Sequence, residues 1–388
     1  MKSHKNVILI VGNSDTGFYK FRKELLTALR EDKKEVFLAF PPGPFGELLE
    51  KMGGHLINLP INRRGINPFQ EILLIIRLFL ILCRVRPEAV LTYTIKPNIY
   101  VNFLCRILGI PSAANITGLG SAVEHKGILR TITIRMYRSA LKRTDCVFFQ
   151  NRQNMAFFSK YRIYSGRKKL IPGSGVNLED FSFLSYPQGK EIEFLFEGRI
   201  MKEKGIEQFL DVAEAVKKEF PESRFTIIGT LEEERYGERI KKLEKERIVA
   251  FMGPQEDTRP YLMRCSCVIH PTYYPEGMSN VLLEAAASGR AVITTGRSGC
   301  REIVDDGKNG LIAKERDSAD FIEKTKYFLR LNWEQRMEMG KQGRKKMERE
   351  FDRRIVIEAY RNVLRSMAEK GCPEKNLAAR KRRGVKRS

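Results

Sequence analysis

Short apolar runs rich in β-branched and aromatic residues alternate along this chain with stretches of helical periodicity, and the alternation occurs in two series. The first comprises VILIVG, EVFLAF, AVLTYT, SAANIT and DCVFFQ, with helical segments at residues 21–29, 72–83 and around Val101 between them. The second comprises EIEFLFEGR, RFTIIG, IVAFMG, CSCVIH and AVITT, with helices expected over 205–220, 239–246 and 281–287. Such alternation is the signature of a parallel sheet wound on both faces, because parallel strands need crossovers and crossover helices bury their apolar stripes on the sheet. Between the series, IPGSGVNLEDFSF carries Pro172, Gly173 and Gly175, which interrupt any element.

One hydrophobic core stops growing near ~250 to 300 residues, so 388 residues in two series predict two Rossmann-like α/β domains. The expected boundaries are an N-terminal domain at 1–172, a linker at 173–190 and a C-terminal domain at 191–350. A helix at 351–366 is expected to turn back toward the first domain, and a basic flexible tail to follow at 367–388. If the halves face each other, the linker is a hinge and the cleft is the active site, since open parallel sheets bind ligands beyond the carboxyl ends of their strands.

Lys and Arg outnumber Asp and Glu by 70 to 47, a formal charge of +23, which attracts polyanions. No RNP signature, zinc finger or heptad-bearing basic region is present, so no nucleic-acid partner is expected, and an anionic membrane surface fits better. The N-terminus MKSHKNVILIVG lacks the length and cleavage site of a signal peptide, which predicts a cytoplasmic protein. The apolar stretch ILLIIRLFLILC, residues 72–83, is shorter than the ~18 to 20 residues that span a bilayer and contains Arg77. It reads as a buried or interfacial helix. Residues 333–364 read as one charged helix, and the terminal ARKRRGVKRS reads as a solvated tail or a tether to anionic lipid. Seven cysteines without a C-x-x-C pair predict neither a disulfide framework nor a metal site, and alternation puts Cys265 and Cys267 on one face as core thiols.

Three segments carry chemistry. In HPTYYPEGMSNVLLEAAASGRAVITT, residues 270–295, prolines hold a loop after a strand, and Ser279 or Asn280 can cap the following helix, whose N-terminus suits a phosphate. Glu276 and Glu284 stand roughly 12 Å apart at ~1.5 Å per helical residue. That spacing suits two parts of one long ligand, Glu284 on a ribose diol and Glu276 on a sugar, though glutamates near a helix start also serve as dipole partners. After EIEFLF, Arg199 and Lys204 project toward one mouth and could neutralise a diphosphate, or could be plain surface charge. In GNSDTGFYKFRKELL, Gly12 and Gly17 have P-loop spacing, but Phe18 and Tyr19 replace the phosphate- and magnesium-binding residues, which excludes ATP hydrolysis. Gly17 remains, as a place of close approach at a helix start.

The order of EGR-x4-KG after a strand, then EGMSNVLLE after another, with a glycine loop near the N-terminus, resembles glycosyltransferase family 4 over roughly residues 6–365. The resemblance implies the GT-B fold, two Rossmann-like domains facing across a cleft, and retaining transfer without a metal or other cofactor. It places Glu284 on the ribose of a nucleotide-sugar donor, Glu276 on the donor sugar, and Arg199 and Lys204 on the diphosphate. The backbone at Gly277 and Met278, with Ser279 and Asn280, lies nearby, and uracil rests against the loop ending at Gly253. TYTIKPNIY and NITGLGS are similar to the subfamily that extends undecaprenyl-diphosphate-linked sugars, which implies a UDP-sugar donor and a lipid-linked acceptor at the inner membrane face. By that likeness Lys96 meets the acceptor diphosphate, and Asn115, Thr117 and Gly118 border the reacting sugars. Many family members carry a His after the strand ending near Ile116, where this chain has Ile-Thr-Gly, and His125 is a poor substitute for it. The competing readings are a nucleotide-sugar epimerase of the same architecture, active without acceptor, and a non-enzymatic anionic-lipid-binding protein.

Overall fold

A computed structural model describes residues 6–62, 65, 67–120, 123, 127–189 and 191–371. His125 and the tail beyond residue 371 lie outside them. The chain forms two compact units, Met1–Ser174 with Arg354–Ser388, and Gly175–Arg353.

The first unit is built on strands β1 (Val7–Val11), β2 (Glu35–Phe40), β3 (Gly54–Asn58), β4 (Ala89–Tyr93), β5 (Ser112–Ile116), β6 (Cys146–Phe149) and β7 (Lys168–Leu170). All pair in parallel, in the order β3-β2-β1-β4-β5-β6-β7. The chain winds outward from β1, returns and continues from β4 on the other side, so the switch point lies between β1 and β4. Crossovers are made by α1 (Asp15–Glu31), α2 (Gly46–Lys51), α3 (Pro68–Val85), α4 (Ile95–Leu108), α5 (Ile128–Ala140) and α6 (Arg152–Lys160). Alternation along β1 sorts its side chains between two cores. Ile8 and Ile10 pack with Leu25, Leu49 and Tyr360, on α1, α2 and the C-terminal helix Arg353–Gly371. Leu9 and Val11 pack on the opposite side with Leu74, Leu78 and Leu104 of α3 and α4.

Helix α3 starts where Asn67 accepts from the Phe69 amide at 3.0 Å and Pro68 supplies the first helical φ, and it stops at Arg86 in the left-handed region. Its buried Leu74, Leu78, Leu82 and Val85 make one stripe, and the opposite side is exposed, so this apolar helix is half-buried. Among the described residues no helix is long and apolar enough to cross a membrane.

The second unit repeats the scheme with β8 (Ile192–Glu197), β9 (Ser223–Ile228), β10 (Ala250–Phe251), β11 (Cys267–His270), β12 (Ala291–Thr295) and β13 (Gly310–Ala313). They are all parallel, in the order β10-β9-β8-β11-β12-β13, with the switch between β8 and β11. Its helices are α7 (Ile206–Glu219), α8 (Gly237–Lys245), α9 (Arg259–Arg264), α10 (Asn280–Ala287), α11 (Ser318–Arg330) and α12 (Trp333–Lys346).

Three expectations change. Within the stretch 173–190 read as a linker, residues 175–189 are strapped to the second unit. The buried Arg290 guanidinium donates to the carbonyls of Leu184 at 3.2 Å and Ser185 at 2.9 Å, and the Trp333 indole donates to the Pro187 carbonyl at 2.8 Å. A buried charge needs several acceptors, and this irregular stretch provides them with its backbone. The continuous helix expected over 333–364 is broken: a π-helical turn, Met347–Phe351, leads to Asp352, which pairs with Val176 as an isolated bridge. Cys265 and Cys267 are both buried but lie in different cores, because the strand begins only at Cys267 and the alternation does not reach back to Cys265.

Candidate active site

The switch point of the second unit is where the loops after β8 and β11 meet. After β8 the chain passes Gly198 and Arg199, makes a 3-10 turn over Lys202–Lys204 and enters α7 through Gly205. Gly205 has φ +79°, and a Cβ there would stand 2.3 Å from the Pro271 carbonyl oxygen, so only glycine lets the two loops close on each other. The same contact is stitched by the Tyr273 amide donating to the Glu203 carbonyl at 2.9 Å. On the other flank Gly229, φ +143°, lies so close to Gly198 that a Cβ would fall 1.7 Å from its carbonyl oxygen. The Gly229 amide donates to the Gly253 carbonyl at 2.8 Å, so the loops after β8, β9 and β10 form one row beside the switch.

Arg199 and Lys204 converge on one aromatic ring. The Arg199 guanidinium carbon lies 5.0 Å and the Lys204 Nζ 5.4 Å from the Tyr274 ring centre. Each cation also has a carboxylate: Arg199 donates to Glu232 at 2.8 Å, and Lys204 is paired with Glu276. Lys204 is largely buried and Arg199 is half-exposed. Burial, with the Arg199 charge adding, pulls the Lys204 pKa down from 10.5 to about 8. The loop therefore holds two cations against each other's repulsion beside a π face and two acids.

The helix that follows is closed differently from expectation. Ser279 is the N-cap of α10 in backbone conformation, but its hydroxyl makes no cap hydrogen bond. It lies 3.1 Å from His270 Nε2 instead, both residues being buried. Burial, and secondarily the Lys204 charge, holds His270 well below the ordinary imidazole pKa, so it is neutral. The first turn of α10 thus opens toward the strand ends without a side-chain oxygen of Ser279 across it. Its loop is braced by the Ser279 amide donating to the Gly299 carbonyl at 2.9 Å. Gly277 and Met278 precede the cap, Asn280 opens the helix, and Glu284 sits on its fifth position, nine-tenths buried.

Of the predicted site residues, Arg199, Lys204 and Glu276 come together directly. The sequence reading missed Tyr274, Glu232 and His270. His270 ends strand β11 and Tyr274 follows it in the loop, where an imidazole closing a buried strand and an aromatic just beyond it were a usable signal. Glu232 lies 33 positions from its partner Arg199 and left no local trace.

The first-unit candidates are placed at the ends of β1, β4 and β5, which neighbour one another in the sheet. Their side chains differ from expectation. Lys96 is already engaged within the unit: its Nζ donates to the Asn62 and Gly65 carbonyls at 2.7 Å each and pairs with Glu71. Asn115 is buried within β5, and its amide is bonded to the Tyr360 hydroxyl of the C-terminal helix, because the fourth residue of this strand points into the core. Gly17 lies inside the first turn of α1, and its amide is taken by the Ser14 hydroxyl at 3.0 Å. A Cβ there would meet only Ser14 at 3.6 Å, so nothing in the protein itself demands glycine. Thr117 and Gly118 follow β5 half-buried.

Comparison with known proteins agrees with this layout. Residues 7–151 match the family described as glycosyl transferase 4-like, and residues 180–346 match glycosyl transferases group 1. The N,N'-diacetylbacillosaminyl-diphospho-undecaprenol alpha-1,3-N-acetylgalactosaminyltransferase of Campylobacter jejuni is 24% identical over 337 residues, 82% of this chain and 88% of that protein. The putative glycosyltransferase EpsD of Bacillus subtilis is 26% identical over 55% of this chain and 59% of its own length. Among solved structures, a glycosyltransferase from Rickettsia africae superposes with a TM-score of 0.78 at 16% identity, covering 94% of this chain and 99% of that one. HepE of Anabaena, in complex with UDP and glucose, superposes with a TM-score of 0.74 at 15% identity, covering 93% and 99%. With both halves matched and the fold shared along nearly its whole length, the chain is a glycosyltransferase of the GT-B fold, its first half matching the glycosyl transferase 4-like model and its second half the group 1 model.

Proposed function

We propose that this enzyme moves a hexose or N-acetylhexosamine, with retention, from a UDP-sugar to a sugar carried on a polyprenyl diphosphate, working peripherally at the inner face of the membrane in surface-glycan assembly. The observation that carries the reading is the convergence of Arg199 and Lys204 on Tyr274 beside Glu276, at the switch point of the second unit. Two cations held close in a largely buried loop repel each other, and a diphosphate relieves that repulsion. Its charge grows as the bond from the sugar anomeric carbon to the β-phosphate oxygen breaks, so the pair binds the leaving group more tightly in the transition state than in the ground state. UDP departs with the bonding electrons, the acceptor oxygen bonds the same face of the anomeric carbon, and its proton passes to the departing phosphate. The two cations fill the charge-neutralising role, and no metal or other cofactor enters the scheme.

Entry of the diphosphate competes with Glu276 for Lys204 and leaves the carboxylate to the sugar hydroxyls. Glu284 takes the ribose diol, the open first turn of α10 faces a phosphate, and uracil rests on the loop ending at Gly253. Thr117 and Gly118 border the acceptor on the first unit, and the name of the Campylobacter relative supports a lipid-linked acceptor. The test is transfer from a panel of radiolabelled UDP-sugars into lipid-extractable product with an undecaprenyl-diphosphate-linked sugar. Arg199→Ala and Lys204→Ala are each expected to lower turnover by about two to three orders of magnitude while folding normally. Near-normal turnover in either variant, or conversion of the donor without any acceptor as an epimerase performs, would overturn the reading.

A further inference from the structure

The first unit carries an apolar surface that its own core does not use. Helices α3, α4 and α5 lie on one side of the sheet: α3 shares a core with α4, and α4 shares the next with α5. A helix on the outside of an α/β unit ordinarily turns a polar side to water. Here α3 sends Leu74, Leu78 and Leu82 inward, while Phe69, Ile76 and Leu80, half a turn away, are exposed, Phe69 to 83%. Ile107 on α4 and Ile128 on α5 extend the surface, Ile128 with 82% exposure. Most of the large hydrophobic side chains exposed among the described residues belong to these three helices, which distinguishes a continuous patch from scattered apolar residues.

The charges on this layer have one sign. Across the three helices Glu71 is the single acidic residue, and Lys96 neutralises it. Arg77 and Arg84 flank the apolar stripe of α3, and Arg135 stands exposed between Ile128 and Ala140 on α5. Arg106 of α4 lies 5.0 Å from the Phe103 ring centre and donates to the Ser139 carbonyl at 2.6 Å, tying α4 to α5. Apolar side chains among arginines, with no acid left unneutralised, match an anionic bilayer: the apolar tips enter the acyl boundary and the guanidinium groups reach lipid phosphates. A second copy of the same face would set arginine against arginine. Phe69 and Ile128 occupy the first turns of α3 and α5, and the Lys96–Glu71 pair keeps the start of α3 beside the end of β4. The surface therefore adjoins the strand ends that carry Thr117 and Gly118.

The geometry points to the outward side of α3, α4 and α5 as a docking surface for anionic lipid bilayer, with Phe69 and Ile128 as its inserted anchors. This deepens the membrane-surface reading above, and it is tested without donor or acceptor, so that its failure and that of the transfer reaction are separable. Full-length protein is sedimented with phosphatidylcholine vesicles with and without phosphatidylglycerol, at low salt and at high salt, where the contribution of the basic tail is screened. Wild type is expected to favour the anionic vesicles and to keep part of its binding at high salt. The double variant Phe69→Glu with Ile128→Glu is expected to lose about a hundredfold in partitioning. Its unfolding midpoint should not move, because both side chains are exposed. Unchanged partitioning in the double variant, or a stable lipid-free dimer that the double variant abolishes, would overturn the proposal. Vesicle binding through this face with no sugar transfer would uphold it and sink the proposed reaction instead.

Discussion

Raising the pH should switch the enzyme off while stabilising the fold, and both effects trace to Lys204. Burial and the neighbouring Arg199 bring its pKa to about 8, against 10.5 for an ordinary lysine. If the ammonium is the form that meets the diphosphate, kcat/KM for the donor is proportional to the protonated fraction of the free enzyme. It should be nearly level below pH 7 and fall about tenfold per unit above pH 8. The profile of kcat should bend at a higher pH, because a bound diphosphate favours the charged lysine.

The stability effect has the opposite sign. A folded-state pKa below the unfolded value means that between about pH 8 and 10.5 the unfolded chain binds more protons, so the folded state gains stability as pH rises through that window. Chemical denaturation at pH 7.5 and 9.5, run beside steady-state kinetics, separates the two, the pH values being chosen to lie about either side of the lysine titration. Loss of activity with unchanged or higher stability is the expected result. A level kcat/KM profile from pH 7 to 10, with wild-type behaviour of Lys204→Ala at any pH, would refute the reasoning.

Other substitutions probe the loops that hold the site. Gly205→Ala puts a methyl group onto the Pro271 carbonyl at a left-handed φ, and is expected to cost about 2 to 4 kcal/mol, read as a lowered denaturation midpoint together with weakened UDP binding. Ser279→Ala removes the partner of buried His270 rather than a helix cap, so it should cost about 1 to 2 kcal/mol, and Ser279→Asp, a good cap elsewhere, should fail to restore it. Tyr360→Phe, which frees the Asn115 amide in the first core, should lower stability by about 1 kcal/mol and leave the acceptor KM unchanged; a raised KM would return Asn115 to the acceptor site.

The periodic code of the chain determined the architecture. Short, nearly continuous apolar runs alternating with helical stretches leave a parallel wound sheet as the compact solution, and they recur in both units as quoted from the sequence. Arg199, Lys204 and Glu276 were legible for the same reason: residues just after β8 and β11 must emerge at the carboxyl edge of the sheet. What decides the state of a side chain is its tertiary surroundings, and these have no local spacing to read. The Glu71 carboxylate that occupies Lys96 lies 25 positions away, and the Tyr360 that claims Asn115 lies 245 away. The same holds for the stretch after Gly175. Its composition reads as a hinge, yet Arg290, more than a hundred positions on, needs its carbonyls to satisfy a buried charge and so fixes it to the second unit. Strand and helix identity follow from near neighbours and backbone preference, whereas the compensation of a charge or amide in a low-dielectric interior is settled by whichever groups the fold brings within hydrogen-bonding distance.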